Sequence, residues 1–369
     1  GGEDIAVENE IKFLKKNYKV EYLYFENKIT NYFFDFFTFI TNKNTKSTYI
    51  LEKKIKEFKP DAIYIHNTWF KASLGIFKVA DRYKLDVILK LHNFRYFCTR
   101  SIYISDHLKG KEFCEACGFR KKRFVIFNNY FKESLIKSLL ILIYGRKYFN
   151  ILKNSDLKIL VLTEFHKKFL LKLDISKSKI FVHPNPINIE INKNEDSQED
   201  YIIYAGRVSE EKGVEELIKS FVSSNINEIN LKIVGEGPIL NMLKKKYKNN
   251  SNIYFEGPIS NDKVIKLIYN SLAVVTATKL YERQPTLLCE ASYLGIPSIY
   301  PRTGGIHEFF PEKYKLAFDQ FDYEDLMNKL KIVEDKLRLK KIGTENREFI
   351  FTYLNENKMF DRFNMILDE

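Results

Sequence analysis

The sequence predicts an α/β protein built from two doubly wound domains, and three observations predict it. A chain of 369 residues is longer than one hydrophobic core comfortably serves. Short β-rich runs alternate with amphipathic segments of helical period in both halves, the pattern of parallel sheets covered on both faces. A polar stretch over residues 188–200, almost without apolar side chains after Ile191, separates the two halves. Hydrophobic residues make up 45% and charged residues 29%, so the chain has enough apolar material for two cores and lacks the composition of a disordered one.

The second half reads most clearly. Residues 201–204 form a strand, and Val214, Leu217, Ile218, Phe221 and Val222 follow at helical spacing. Strands over 231–234, 253–255, 272–276 and 296–300 alternate with helices over 239–247, 264–268 and 286–294, the last opened by Pro285 in its first turn. The first half gives strands over 20–24, 62–65, 87–91, 159–162 and 180–183 with longer insertions. Residues 4–16 read as a helix with Val7, Ile11 and Leu14 on one face. A parallel α/β domain normally opens with a strand, so a leading strand of roughly ten residues ahead of Gly1 is expected to be missing from the sequence. The predicted domains are 1–187 and 188–344, and a closing helix within 345–369 is free to pack back on the first.

The net charge of +12 suits nucleic acid, an anionic membrane surface or a phosphate-bearing substrate. No RNA- or DNA-binding module signature accompanies it, so a nucleic-acid-binding role is the remote alternative. Four cysteines do not make the dense framework of a small secreted domain, which favours reducing surroundings. No charged segment leads into an apolar core at the start, and no run of eighteen apolar residues occurs, so a cytoplasmic protein is expected.

Chemistry concentrates at the ends of strands. Glu282 and Glu290 flank Pro285, whose helix start lets Thr286, Leu287 and Leu288 offer backbone N–H groups to an anion. Carboxylates beside an anion site make sense where they bind hydroxyls, as a nucleotide sugar would supply on both sides of its diphosphate. Arg207 and Lys212 follow the strand at 201–204 at its C-terminal end, where ligands of open α/β sheets sit, and a cation pair there suits a diphosphate. His66 and His92 each end a first-domain strand and are followed by Asn67 and Asn93; His92 is the favoured contact to sugar or phosphate. Gly1 and Gly2 precede a helix and can approach a phosphate, although a lone glycine pair is weak. Gly235-Glu236-Gly237 has the wrong spacing for a dinucleotide fingerprint and argues against an NAD enzyme.

Nine segments, in order, resemble family 4 of the retaining glycosyltransferases, with its Glu-x7-Glu motif. They are Gly1-Gly2-Glu3-Asp4, Ile65-His66-Asn67-Thr68, Lys90 through Arg95, Pro184-Asn185-Pro186, Ala205-Gly206-Arg207 through Gly213, Ile233 through Pro238, Glu282 through Ala291, Gly295-Ile296-Pro297 and Thr303-Gly304-Gly305. The resemblance implies GT-B architecture, two Rossmann-like domains facing across a cleft that holds the donor. It implies that Gly1 and Gly2 contact the donor phosphates, Arg207 and Lys212 hold the diphosphate, Glu290 binds the ribose, Glu282 contacts donor-sugar hydroxyls and His92 lies beside the sugar. It further implies transfer to a hydroxyl of a glycan or lipid-linked oligosaccharide with retention, without a protein nucleophile and with no cofactor required. The same fold leaves a nucleotide-sugar epimerase or another GT-B reaction as the alternative. Arg283 and Gln284 stand where that family commonly has Gly and an aromatic or Leu, so donor identity is open, and both are candidates to project toward the donor sugar.

Cys98, Cys114 and Cys117, with His107 nearby, have the makings of a tetrahedral structural zinc site; three reduced cysteines packed as small hydrophobes are the other reading. Residues 120–149 mix Lys and Arg with Phe, Ile, Leu and Tyr, as a helix lying on the anionic inner face of the cell membrane would, or an ordinary core helix. The aromatic run over 32–37 adds to the membrane reading.

Overall fold

The computed structural model of the protein describes residues 2–28, 31–69, 71–92, 135–189, 199–226 and 228–368. It divides into two compact units, residues 1–185 with 361–369 and residues 186–360.

In the first unit, helix α1 (Gly2–Leu14) opens the chain, and α2 (Tyr32–Thr41) and α3 (Thr45–Phe58) follow. Asn31 and Asn44 cap the last two by accepting backbone N–H groups of their first turns. Then come β1 (Ala62–Ile65), α4 (Gly75–Arg82), β2 (Asp86–Lys90), α5 (Leu135–Asn154), β3 (Lys158–Val161), α6 (Glu164–Leu171) and β4 (Ile180–Val182). The four strands form a parallel sheet in the order β1-β2-β3-β4. Ile88, Leu89, Ile159, Leu160 and Val161 are sealed from solvent in it, as a sheet covered on both faces requires.

The expected strand over 20–24 is not formed. That segment has no strand conformation and no ladder partner, and Tyr22 and Tyr24 stay exposed. Its β-rich composition cannot supply the inter-strand hydrogen bonds that define a strand. β1 lies at the sheet edge, and among the described residues no strand pairs on its other side.

The second unit comprises β5 (Tyr201–Ala205), α7 (Val214–Ser224), β6 (Asn230–Val234), α8 (Leu240–Lys246), β7 (Ile253–Gly257), α9 (Asn261–Tyr269), β8 (Ala273–Val275), α10 (Thr286–Leu294), β9 (Ser298–Arg302), β10 (Ala317–Asp319), α11 (Tyr323–Lys331) and α12 (Lys336–Tyr353). Its six parallel strands run β10-β9-β8-β5-β6-β7. The chain builds outward from β5 through β6 to β7, then crosses to β8 and builds the other way. The crevice beyond the C-terminal ends of β5 and β8 is therefore the topological switch point, where ligands of open sheets bind.

The single closing helix of the sequence reading is two. α12 ends at Tyr353, and α13 (Glu356–Asp368) begins after Asn355, whose side chain accepts the Lys358 N–H at 3.2 Å. The last residues of α13 belong to the first unit, where Phe363 packs its ring on Tyr64 and His183.

Candidate functional site

At the switch point of the second unit the loops after β5 and β8 are fastened together. Gly213, at φ +66, closes the turn Glu210–Lys212 in a left-handed conformation, and a Cβ there would come within 2.0 Å of the Ala277 carbonyl oxygen. Only glycine allows that approach. The Lys279 N–H donates to the Glu211 carbonyl at 3.0 Å, and the Lys279 ammonium bonds Glu216 at 2.6 Å.

These contacts bring Lys212 onto Glu282. The Lys212 ammonium donates to Glu282 Oε1 at 2.6 Å, and the Thr278 hydroxyl donates to the same oxygen at 2.9 Å. Burial alone would raise the Glu282 carboxyl, but the Lys212 charge and hydrogen bond, helped by Arg283 and Thr278, outweigh it and hold the group below its ordinary value. From the far side, Gly304 at φ +58 packs on the Glu282 backbone, and the Gly305 N–H donates to the Glu282 carbonyl at 2.8 Å. The pair stays reachable by solvent, its side chains 31% and 18% exposed.

α10 starts four residues beyond Glu282. Its first intrahelical bond runs from the Cys289 N–H to the Pro285 carbonyl at 2.9 Å, so the N–H groups of Thr286, Leu287 and Leu288 lack intrahelical acceptors, with the positive end of the helix dipole behind them. Pro285 occupies the capping position ahead of the helix rather than its first turn. Glu290 lies one turn in and is buried, and burial raises its carboxyl to about 7. Gln284, which the sequence allows to project toward the donor sugar, lies just ahead of this helix. It is buried and hydrogen-bonds the Cys289 thiol.

Arg207 follows β5, its carbonyl accepting the buried Tyr204 hydroxyl at 2.8 Å. It lines a cavity of about 810 Å³ with Gly206, Gly235, Gly237, Pro258 and Ile259, over the C-terminal ends of β5, β6 and β7. Pro258 and Ile259 were not singled out from sequence. Their position just past a strand end was the available signal.

In the first unit His66 follows β1, and His92 follows β2 by two residues. His66 Nδ1 and His92 Nε2 are 2.9 Å apart. Beneath them, Glu10 of α1 and Lys90 of β2 form an ion pair at 2.5 Å with both side chains fully buried. The Tyr64 hydroxyl donates to Glu10 Oε1 at 2.7 Å, and His183 Nε2 stands 3.5 Å from that oxygen. Burial lowers His66 to about 4, the nearby Lys90 charge adding to it against the opposing pull of Glu10. Neither Glu10 nor Lys90 was marked as a site residue from sequence; a lysine ending the buried run Val87-Ile88-Leu89 was the signal available.

Gly2 opens α1, while Gly1, Cys98, His107, Cys114 and Cys117 lie outside the described residues, as do residues 120–134 of the basic aromatic segment. Among the described residues no group of three or more His, Cys, Asp or Glu could hold a metal ion. In the described part of the segment, Tyr144, Tyr148 and Phe149 of α5 are buried. No helix among the described residues is long and apolar enough to cross a membrane.

Residues 187–349, nearly the whole second unit, match the family of glycosyl transferases group 1. The chain is 28% identical over 351 residues to an uncharacterized glycosyltransferase, MJ1059, of Methanocaldococcus jannaschii, covering 88% of this chain and 74% of that protein. Among solved structures it resembles Anabaena HepE in complex with UDP and glucose, with a TM-score of 0.64, 13% identity, and coverage of 87% of this chain and 81% of that one. It also resembles a TarM variant of S. aureus in complex with fondaparinux, α-GlcNAc-glycerol and UDP, with a TM-score of 0.64, 18% identity, and coverage of 88% of this chain. The chain spans 58% of the length of TarM. The likeness shows the GT-B fold, to which the two parallel sheets conform.

Proposed function

We propose that this chain is a retaining glycosyltransferase that moves a hexosyl group from a nucleoside-diphosphate sugar to a hydroxyl of a glycan or lipid-linked oligosaccharide. The observation that carries the reading is the convergence, at the switch point of the second sheet, of Lys212 paired with Glu282, Arg207 beside its cavity, and the open N-terminus of α10. Two of the solved structures the chain resembles are complexes with UDP, which makes a uridine donor the first to try.

In this reading the cavity lined by Arg207, Pro258 and Ile259 takes the base. Glu290 accepts from the ribose hydroxyls, and the N–H groups of Thr286, Leu287 and Leu288, with Arg207, Lys212 and Gly2, take the phosphates. Glu282 accepts from the sugar, and His92 contributes a hydrogen bond to it. The bond from the anomeric carbon to the phosphate oxygen breaks as the acceptor oxygen bonds that carbon from the same face. The acceptor's proton passes to the leaving diphosphate. Catalysis is then positioning and stabilisation of the charge that gathers on the leaving group, the task of the two cations.

The acceptor is assigned to the first unit, where Phe33, Phe34, Phe36 and Phe37 of α2 are exposed on a protein of net charge +12. Aromatic side chains beside basic ones suit a lipid-linked acceptor at an anionic surface. The test is incubation with UDP-sugars and lipid-linked acceptors, following UDP release and assigning the product anomer by NMR. A product of inverted configuration would overturn the retaining reading, and donor loss to an epimer without acceptor would overturn transfer.

A further inference from the structure

In the first unit, two histidines share one hydrogen bond above a sealed ion pair. From that geometry we infer that His66 is a positioning residue for His92: it fixes the tautomer and ring orientation in which His92 meets the donor sugar. The inference rests on the proposed glycosyl transfer and deepens it.

The contact between His66 Nδ1 and His92 Nε2, at 2.9 Å, holds a single proton when both rings are neutral. Whichever ring donates it, the state of one imidazole dictates the state of the other. If His66 donates, His92 must carry its own proton on Nδ1; if His92 donates, its Nδ1 is bare. An imidazole free in water has no such constraint and exchanges between the two forms. The two ring planes lie 26° apart with centroids 5.2 Å apart, an edge-to-edge arrangement through the hydrogen bond, so His92 is held in angle as well as in protonation.

What holds His66 lies beneath it. The Tyr64 ring packs against the His66 ring with centroids 4.4 Å apart, and the Tyr64 hydroxyl is itself tied to Glu10. Glu10 is fixed by Lys90, and Lys90 also donates to the Pro184 carbonyl at 3.4 Å. The charged and titratable groups around His66 are thus Glu10 from α1, Lys90 and His92 from β2 and its end, Tyr64 from β1, and His183 after β4. A charge pair whose two side chains are fully buried costs desolvation that a pair of packed apolar residues would avoid. Here it anchors the tyrosine and the strand end that carry the two histidines. Burial keeps His66 neutral through the physiological range, against the opposing pull of Glu10, which preserves the one-proton contact.

The test compares His66→Leu, which removes the hydrogen bond, with His66→Asn, whose side-chain amide occupies the place of Nδ1. ¹⁵N-detected NMR of the His92 ring in the unliganded protein gives a readout independent of turnover, with thermal unfolding as the check that each variant is folded. The expected result is one dominant His92 tautomer in the native protein, a mixture in His66→Leu, and a single tautomer again in His66→Asn. Transfer should fall about 10- to 100-fold in His66→Leu through kcat, with KM for the donor little changed, and recover in part in His66→Asn. An unchanged tautomer in folded His66→Leu would overturn the inference. So would equal losses of activity in the two variants. If His92→Ala leaves transfer unimpaired, the sugar-contacting role of His92 fails while the tautomer result still reports on the coupling itself.

Discussion

Each unit of this protein places a lysine–glutamate pair beside its functional-site residues, Glu10–Lys90 in the first and Lys212–Glu282 in the second, and these two pairs differ in what surrounds them. Glu10 and Lys90 are wholly buried, whereas Lys212 and Glu282 are 31% and 18% exposed. A sealed pair cannot exchange partners without paying for a stranded charge, so it serves as a fixture. An accessible pair can trade one partner for a ligand. In the proposed function the same chemistry serves as a support in one unit and as a receiving site in the other, and burial makes the difference.

The comparison breaks most visibly at the sealed pair. Lys90→Met leaves Glu10 buried without its counter-ion and should cost about 3–5 kcal/mol of stability, read as a large fall in denaturation midpoint. A midpoint within error of the native protein would make the two pairs alike. Next in size is Lys212→Ala, expected to cut transfer about 10²- to 10³-fold while the unfolding midpoint stays close to native, since the pair it breaks is reachable by water. Activity within a few-fold of native would remove Lys212 from the phosphates.

Smaller effects sharpen the receiving site. Glu290→Ala should weaken nucleoside diphosphate binding by about 1.5–3 kcal/mol, roughly ten- to a hundred-fold. Glu282→Ala should cut transfer by a similar factor, yet retain or strengthen nucleotide affinity, because it releases Lys212 from its present partner. Calorimetry with UDP separates the two, and parallel losses of affinity would defeat this division of roles.

A further effect, at Glu290, concerns pH. The Glu290 carboxyl is raised to about 7 in the folded protein, so the folded state binds more protons than the unfolded one between about pH 4.5 and 7. Its stabilising contribution is complete below about 4.5 and is lost as pH rises through 7. Glu290→Gln should therefore be more stable than the native protein at pH 8, by up to about 3 kcal/mol. Ribose hydroxyls favour the ionised carboxylate, so donor binding near pH 6.5 should release a proton, measurable by calorimetry in buffers of different ionisation enthalpy.

The parts of this structure that sequence disclosed are those written locally. Residues 286–294 are bounded by Pro285 ahead and Gly295 behind, and Gly295 adopts φ +78 at the helix end, so both limits were legible. Arg207 and Lys212 were legible as charges after the C-terminal end of a strand, and Glu282 as a carboxylate on the loop ahead of a helix start. Residues 20–24 were misread because a strand needs a partner, and pairing is not a local property. The break at Asn355 was missed although an asparagine cap marks it, because the apolar period continues across it. Glu10 and Lys90 are eighty positions apart, and only the fold puts them together.

The passage of α13 from the second unit into the first has a consequence for synthesis. Residues 361–368 leave the ribosome after every residue of the second unit, yet Phe363 covers Tyr64 and His183, and the Lys158 ammonium donates to the Leu367 carbonyl at 2.8 Å. While translation is still short of residue 361, the nascent first unit has its sheet but not the ring that shields the network around Glu10. The half begun first is thus completed last, and the second unit has been synthesised in full before the two histidines acquire their final surroundings.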